Sequence, residues 1–226
     1  MVALESLHAA IMSCTDCDLC RTRTNAVPGE GSFSARLMFV GEGPGFNEDR
    51  QGRPFVGAAG QFLNELLESI GLRRDDVFIT NLVKCRPPEN RDPLPGEAEA
   101  CSKYLDAQIE GIKPDVIVPL GRHALSRWFP NESIGKVRAR ARRFGDITLF
   151  PLYHPAAALH NGSLRATILE DFAKLADLLE RLRAPAQQAS PPQHDLFGAA
   201  VPAEQAGQAA KQDPPEEPNE RQLSMF

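Results

Sequence analysis

No stretch of this 226-residue sequence stays apolar for long enough to cross a bilayer, and its opening, MVALESLHAAIM, places Glu5 and His8 where a signal peptide needs an unbroken apolar run. A cytoplasmic protein is the expectation. A disulfide framework is also excluded: five cysteines in a cytosolic chain stay reduced, and a chain of this length needs no covalent staples. No internal repeat is present, which rules out a repeat architecture. Nor is there an excess of positive charge. The net charge of −5 argues against a nucleic-acid partner until its distribution is read: residues 184–226 hold six acids against two bases, and residues 1–183 are close to neutral.

What remains is the composition of a soluble globular protein, 42% apolar and 24% charged. Four short apolar runs read as strands, Leu37 to Val40, Val77 to Thr80, Val116 to Pro119 and Thr148 to Leu152. Apolar residues at three-to-four spacing predict helices over 59–69, 97–110, 122–129 and 164–182. Strand alternating with helix implies a parallel sheet covered on both faces. In such sheets ligands bind beyond the carboxyl ends of the strands, so the polar turns GEGPG, TNLVKC, LGRHA and YHPAA are expected on one edge. After Leu182 the chain turns to Ala, Pro, Gln and Glu and has little to bury; residues 1–183 are expected to form the domain and 184–226 a disordered tail.

Cys14 and Cys17 form a C-x-x-C pair, and Cys85 and Cys101 bring two further thiols from far along the chain. Four thiolates hold zinc or an iron–sulfur cluster, and spacing does not separate the two. Cys20, which extends the run to C-x-x-C-x-x-C, competes as a ligand on spacing alone.

GEGPG (Gly41 to Gly45), GRPFVG (Gly52 to Gly57), TNLVKCRPP (Thr80 to Pro88) and YHPAA (Tyr153 to Ala157), in that order and among those cysteines, resemble the family 4 uracil-DNA glycosylases from about Cys14 to Leu182. The resemblance implies a three-layer α/β/α sandwich around a four-stranded parallel sheet. It also implies a [4Fe-4S] cluster on Cys14, Cys17, Cys85 and Cys101, and removal of uracil from DNA by hydrolysis of its N-glycosidic bond.

Such an enzyme draws the target nucleotide out of the stack and recognises it by its Watson–Crick edge and its faces. An asparagine suits the edge, because its amide oxygen accepts the uracil N3–H while its amide nitrogen donates to O4, and Asn81 is the expected reader. By the resemblance, Phe55 stacks on the base, Glu48 lies near uracil C5, and His154 points at uracil O2, where charge develops as the bond breaks. The backbone N–H groups of Gly41, Glu42 and Gly43 are expected to line the pocket, since glycine lets the main chain approach closely. Where other branches of the superfamily carry an aspartate this chain has Gly43, so Glu42 is the candidate to activate water. No lysine in these motifs offers a Schiff-base nucleophile, and strand cleavage is not expected.

Three further features bear on contacts. KVRARARR (Lys136 to Arg143) spaces basic residues alternately, which would set Arg138 and Arg140 on one face of an extended segment against phosphates. Leu159, in the polar turn after YHPAA, could wedge into the vacated base-pair space. QLSMF (Gln222 to Phe226) and QHDLF (Gln193 to Phe197) resemble the peptides by which bacterial repair proteins dock on the replication sliding clamp. A monomer of the bacterial cytosol is the expectation. The competing readings are a uracil-DNA binding protein that does not turn over, disfavoured because NRDPLPGE lacks the histidine of the covalently trapping branch, and a zinc-stabilised nucleic-acid module. Removal of Gln222 to Phe226 should weaken clamp binding in a pull-down while excision from a short oligonucleotide is unchanged.

Overall fold

Leu37, Met38, Phe39 and Val40 form a continuous apolar run, and such a strand is stable only where both faces of its sheet are covered. The computed structural model, which describes residues 2–183, buries all four. In chain order the elements are α1 (Val2–Ser13), β1 (Glu30–Gly31), β2 (Leu37–Gly41), α2 (Phe46–Gln51), α3 (Ala58–Ser69), β3 (Phe78–Asn81), α4 (Pro95–Ile112), β4 (Val116–Pro119), α5 (Gly121–Ser126), α6 (Ile134–Val137), β5 (Arg142–Phe144), β6 (Ile147–Leu149), α7 (Ala156–His160) and α8 (Leu164–Arg183). The expected tail and both peptides in it lie outside the described residues. Among the described residues no helix is long and apolar enough to cross a membrane.

The six strands lie in the order β1-β3-β2-β4-β6-β5. The inner four are parallel, as the sequence predicts, and β1 and β5 add an antiparallel strand at each edge. Neither edge carries a hydrophobic signature: Glu30–Gly31 is a two-residue strand, and Arg142–Phe144 is basic, a composition that blunts an exposed edge.

Pleating separates the core into two layers. Leu37 and Phe39 pack with Phe62, Leu63, Leu66 and Leu67 of α3 and with Ile168, Phe172 and Leu175 of α8. Met38 and Val40 pack instead with Leu4 of α1 and with Leu105 and Ile112 of α4. Phe39 and Phe172 stack with centroids 5.9 Å apart. A third cluster, Ile11, Leu19, Ala26, Val83 and Tyr104 with Cys85 and Cys101, carries the core under the loop that follows β3.

The segment from Lys136 to Arg143 departs from its expected form. It is not one extended ribbon: Val137 ends α6, Ala139 takes a positive φ of 54°, and pairing begins only at Arg142. Arg138 therefore does not share a free face with Arg140. Its Nη1 donates to both carboxylate oxygens of Asp171 at 2.6 and 2.5 Å, and its guanidinium lies over the Tyr153 ring at 5.3 Å. Asp171 sits on the buried side of α8 with its side chain 1% exposed, so it needs that cation; Lys174 is a weaker second partner at 3.3 Å. Arg138 is a structural residue, and Arg140 alone of the pair is exposed. Arg138→Ala should cost about 2 kcal/mol of stability in denaturant unfolding, and the salt slope of DNA binding should stay at its wild-type value.

Candidate active site

The parallel register sets Gly41, at the end of β2, opposite Asn81, at the end of β3. A Cβ on Gly41 would lie 2.4 Å from Asn81 Oδ1 and 2.8 Å from Phe55 Cζ. Glycine is therefore what allows a carboxamide and an aromatic ring to meet over this strand end. They wall a cleft of about 640 Å³ at the carboxyl edge of the sheet, lined also by Glu42, Gly43, Glu48, His123 and His154.

Phe55 is held in a strained backbone. Its φ is 52°, a left-handed value that a residue with a side chain seldom adopts. Three groups fix it there. The Phe55 carbonyl lies where a Cβ on Gly60 would be, 1.8 Å away, so α3 can pack against it only through glycine. Arg74 donates to the Phe55 carbonyl at 3.1 Å and to Asn64 Oδ1 at 3.0 Å, and it also bonds the Pro54 carbonyl and Glu30. Glu48 Oε1 accepts the Val56 and Gly57 N–H groups, both at 2.9 Å, at the start of α3. Asp49, the next residue, is 2% exposed and accepts the Thr24 N–H at 2.8 Å.

Asn81 is 2% exposed and lines the cleft; its bond to Lys84 is made through its backbone carbonyl, which leaves the carboxamide to the cleft. His154 stacks on Phe55 with centroids 5.4 Å apart and planes at 25°. Burial lowers its pKa to about 4, with Glu48 opposing, so the ring is neutral at neutral pH. Its Nδ1 accepts the Ala156 N–H at 3.1 Å, which leaves the single ring proton on Nε2.

At the other wall Glu42 meets residues that were not singled out from the sequence. His123 Nε2 lies 3.7 Å from Glu42 Oε2 and 3.2 Å from Asp92 Oδ2. Among the described residues, Glu42, Asp92 and His123 are the one group of three metal-ligating side chains with donor atoms all within 4.8 Å of one another. Arg122 sets one positive charge against the group, reaching Asp92 at 3.0 Å and donating to His123 Nε2 at 2.8 Å. Burial raises the Glu42 pKa, with His123 opposing and Asp92 reinforcing the shift.

Cys14, Cys17, Cys20, Cys85 and Cys101 line one small cavity with Asp16, Arg23, Lys84 and Tyr104, and none is in a disulfide. All five converge, so the fold does not set Cys20 apart. Arg23 Nη1 donates to Cys85 Sγ at 3.0 Å and the Lys84 N–H to Cys101 Sγ at 3.3 Å. Burial pushes the Cys101 thiol up to about 11 and raises Cys17 and Cys85. Thiolates in so dry a place need a bound cation. This donor set fits a thiolate-held metal group. The sequence offered no signal for Arg23, Arg74 or Asp92, whose partners are distant in the chain, and marked His123 only as part of the strand-end turn LGRHA.

Comparison with known proteins agrees with this geometry. The family model of the uracil DNA glycosylase superfamily matches residues 28–183. A type-4 uracil-DNA glycosylase of Sulfurisphaera tokodaii is 52% identical over 188 residues, 79% of this chain and 86% of that protein. Those of Archaeoglobus fulgidus and Thermotoga maritima are 49% and 46% identical, with 79% of this chain aligned to 94% and 95% of theirs. The chain belongs to the uracil-DNA glycosylase superfamily, on its type-4 side, and is an enzyme that removes uracil from DNA in repair.

Proposed function

We propose that the cleft between Gly41 and His154 performs a hydrolytic, monofunctional excision in which Asn81 reads the uracil edge, Phe55 stacks on the ring and His154 stabilises the departing base. The observation that carries this reading is the buried Asn81, its carboxamide left to the cleft, beside the stacked Phe55–His154 pair in that same cleft. Uracil offers N3–H and O4 to such an amide, whereas cytosine offers the reverse and would leave two buried groups unpaired at roughly 1–3 kcal/mol each.

His154 acts as a neutral donor. With Nδ1 engaged by the Ala156 N–H, its Nε2–H is free to stabilise charge on uracil O2 as the glycosidic bond lengthens, without first moving a proton. The sugar becomes oxocarbenium-like and is captured by water. Glu42 is the proposed activator of that water: it lies in the cleft, and its raised pKa brings it toward the range of an effective general base. The clefted residues include no lysine, which supports hydrolysis over a Schiff base. Glu48 works on the pocket through Phe55, by holding the N–H groups that follow it.

Cys14, Cys17, Cys85 and Cys101 are proposed to hold a [4Fe-4S] cluster, which when bound ties the α1 end, the loop after β3 and α4 together. No three cysteine sulfurs among the described residues form a group within 4.8 Å, a spread that suits a polynuclear cluster better than one zinc, whose thiolates stand about 3.8 Å apart. A reducing cytosol suits such a set. Arg140 and Leu159 are both exposed, Leu159 on α7 next to the cleft residue His160, and are the proposed outer contacts with DNA. Docking on the sliding clamp through Gln222 to Phe226 or Gln193 to Phe197 remains part of the same proposal, as does a monomeric enzyme.

Alkali-labile cleavage of a uracil oligonucleotide measures the step. Asn81→Ala, His154→Ala and Glu42→Gln should each lower the single-turnover rate about 10²-fold. Wild-type excision by Asn81→Ala would remove the reading. A separate test concerns pH. The folded pKa of His154, about 4, lies below the ordinary 6.5, so the unfolded chain takes up the proton first as pH falls. The stability lent by the neutral ring is complete above 6.5 and is lost progressively down to about 4. The melting temperature of wild type relative to His154→Gln should therefore fall across that window, and a constant difference would contradict the buried neutral ring.

A further inference from the structure

Lys84 stands between the two sites without belonging to the cleft. It is 1% exposed and, among the described residues, pairs with no carboxylate. Its Nζ is instead ringed by three neutral acceptors, Thr80 Oγ1 at 2.6 Å, the Asn81 carbonyl at 2.7 Å and Gln108 Oε1 at 2.8 Å. Three acceptors match the three N–H bonds of an ammonium group. The acceptors are themselves oriented, since Thr80 Oγ1 and Gln108 Nε2 both donate to the Pro28 carbonyl, at 3.0 and 2.7 Å. The main chain of Lys84 is equally committed. Its N–H donates to Cys101 Sγ at 3.3 Å, and its carbonyl accepts the Val27 N–H at 2.7 Å.

An ammonium bonded only to neutral acceptors is costly to bury, even with the Cys101 thiol of the adjoining cavity offsetting that cost once ionised, and an apolar side chain of similar length would fill the same space at less cost. Stability alone is therefore a poor reason for a lysine here. The location supplies a better one: the ammonium grips the carbonyl of Asn81, whose carboxamide faces the cleft, while the backbone N–H of Lys84 itself donates to Cys101 of the other cavity.

We propose that Lys84 is a positioning residue for uracil recognition, locking the β3 end that presents Asn81 to the loop and helix that carry Cys85 and Cys101. The inference rests on Asn81 as the reader of the base. Lys84 touches neither substrate nor reacting atoms. It fixes the direction of the Asn81 carboxamide, so its removal should loosen discrimination and turnover and leave the outer DNA surface as it is.

The test uses the full chain, with Lys84→Met, Lys84→Gln and Asn81→Ala side by side. The readouts are single-turnover excision, inhibition by free uracil, affinity for uracil-free DNA of the same sequence, and iron content. Lys84→Met should lower excision and weaken uracil inhibition by about 10-fold each, with affinity for uracil-free DNA within about two-fold of wild type and iron retained. Lys84→Gln, which keeps an amide donor, should recover part of both losses. Wild-type uracil inhibition in folded Lys84→Met would overturn the proposal, and so would a loss of iron or of plain DNA affinity in step with activity. If Lys84→Met does not fold, Thr80→Val, which removes one acceptor of the ammonium, decides in its place: unchanged uracil inhibition there also overturns it. Asn81→Ala with full excision would remove the underlying reading, whereas an impaired Asn81→Ala beside an unimpaired Lys84→Met removes this inference alone.

Discussion

A side chain that recognises a base must be buried, polar and unpartnered in the empty enzyme, a combination that folding ordinarily removes because an unsatisfied amide costs roughly 1–3 kcal/mol. Asn81 comes close to that description: it is buried, but its amide lines the cleft and keeps contact with solvent there. Left to itself it would rotate toward whichever neighbour offered a hydrogen bond, so its surroundings must both deny it a partner and hold it still. Gly41 removes the side chain that would otherwise fill the space, the Phe55 ring offers its amide no conventional partner, and the Lys84 ammonium fixes the carbonyl of the same residue. The rest of the cleft is arranged around this constraint.

Phe55 carries the second cost. A left-handed phenylalanine is tolerated only where the structure around it determines its backbone more strongly than its own preference does. Here the Arg74 guanidinium takes the carbonyls of Pro54 and Phe55, Glu48 takes the N–H groups of Val56 and Gly57, and Gly60 lets α3 close over the turn. Both charged residues thus act on the ring through the main chain. A platform fixed in this way loses little freedom when a base settles on it, which is how rigidity becomes affinity.

The parallel strands and long helices were legible because hydrophobic periodicity is a property of neighbouring residues: the Leu37–Val40 run, the three-to-four spacing of α3 and α8, and the polar turns at strand ends all lie within one window of sequence. The cleft members Asn81 and His154 were legible through short motifs at those same turns, and Phe55 through GRPFVG between α2 and α3. Arg138 was misread for a physical reason: alternation gives a face only if the backbone stays extended, and the partner that bends it inward, Asp171, lies 33 residues on. Glu30 with Arg74, Arg23 with Cys85, and His123 with Asp92 are pairings of the same kind. Charge that is neutralised by tertiary contact looks, in a sequence, like charge that is free.

The charges around the cleft are consistent with an enzyme that waits for negative charge to form. A protonated His154 would attract the phosphate backbone before the base had left the stack, and it would lose the Ala156 N–H that orients it. Burial keeps the ring neutral, so in the proposed reaction its Nε2–H would gain strength as charge builds on the base, favouring the transition state over the bound substrate. In the proposed reaction Glu42, across the cleft, is subject to the opposite demand: it would have to be anionic beside a developing cation, and burial works against that. The Arg122 guanidinium, which donates to both His123 Nε2 and Asp92, supplies the positive charge on the far side of the carboxylate, while Asp92 opposes it. The two walls therefore differ in kind, one a dry neutral donor and the other a solvated network around an acid, and that asymmetry matches a bond that breaks into an anion on one side and a cation on the other.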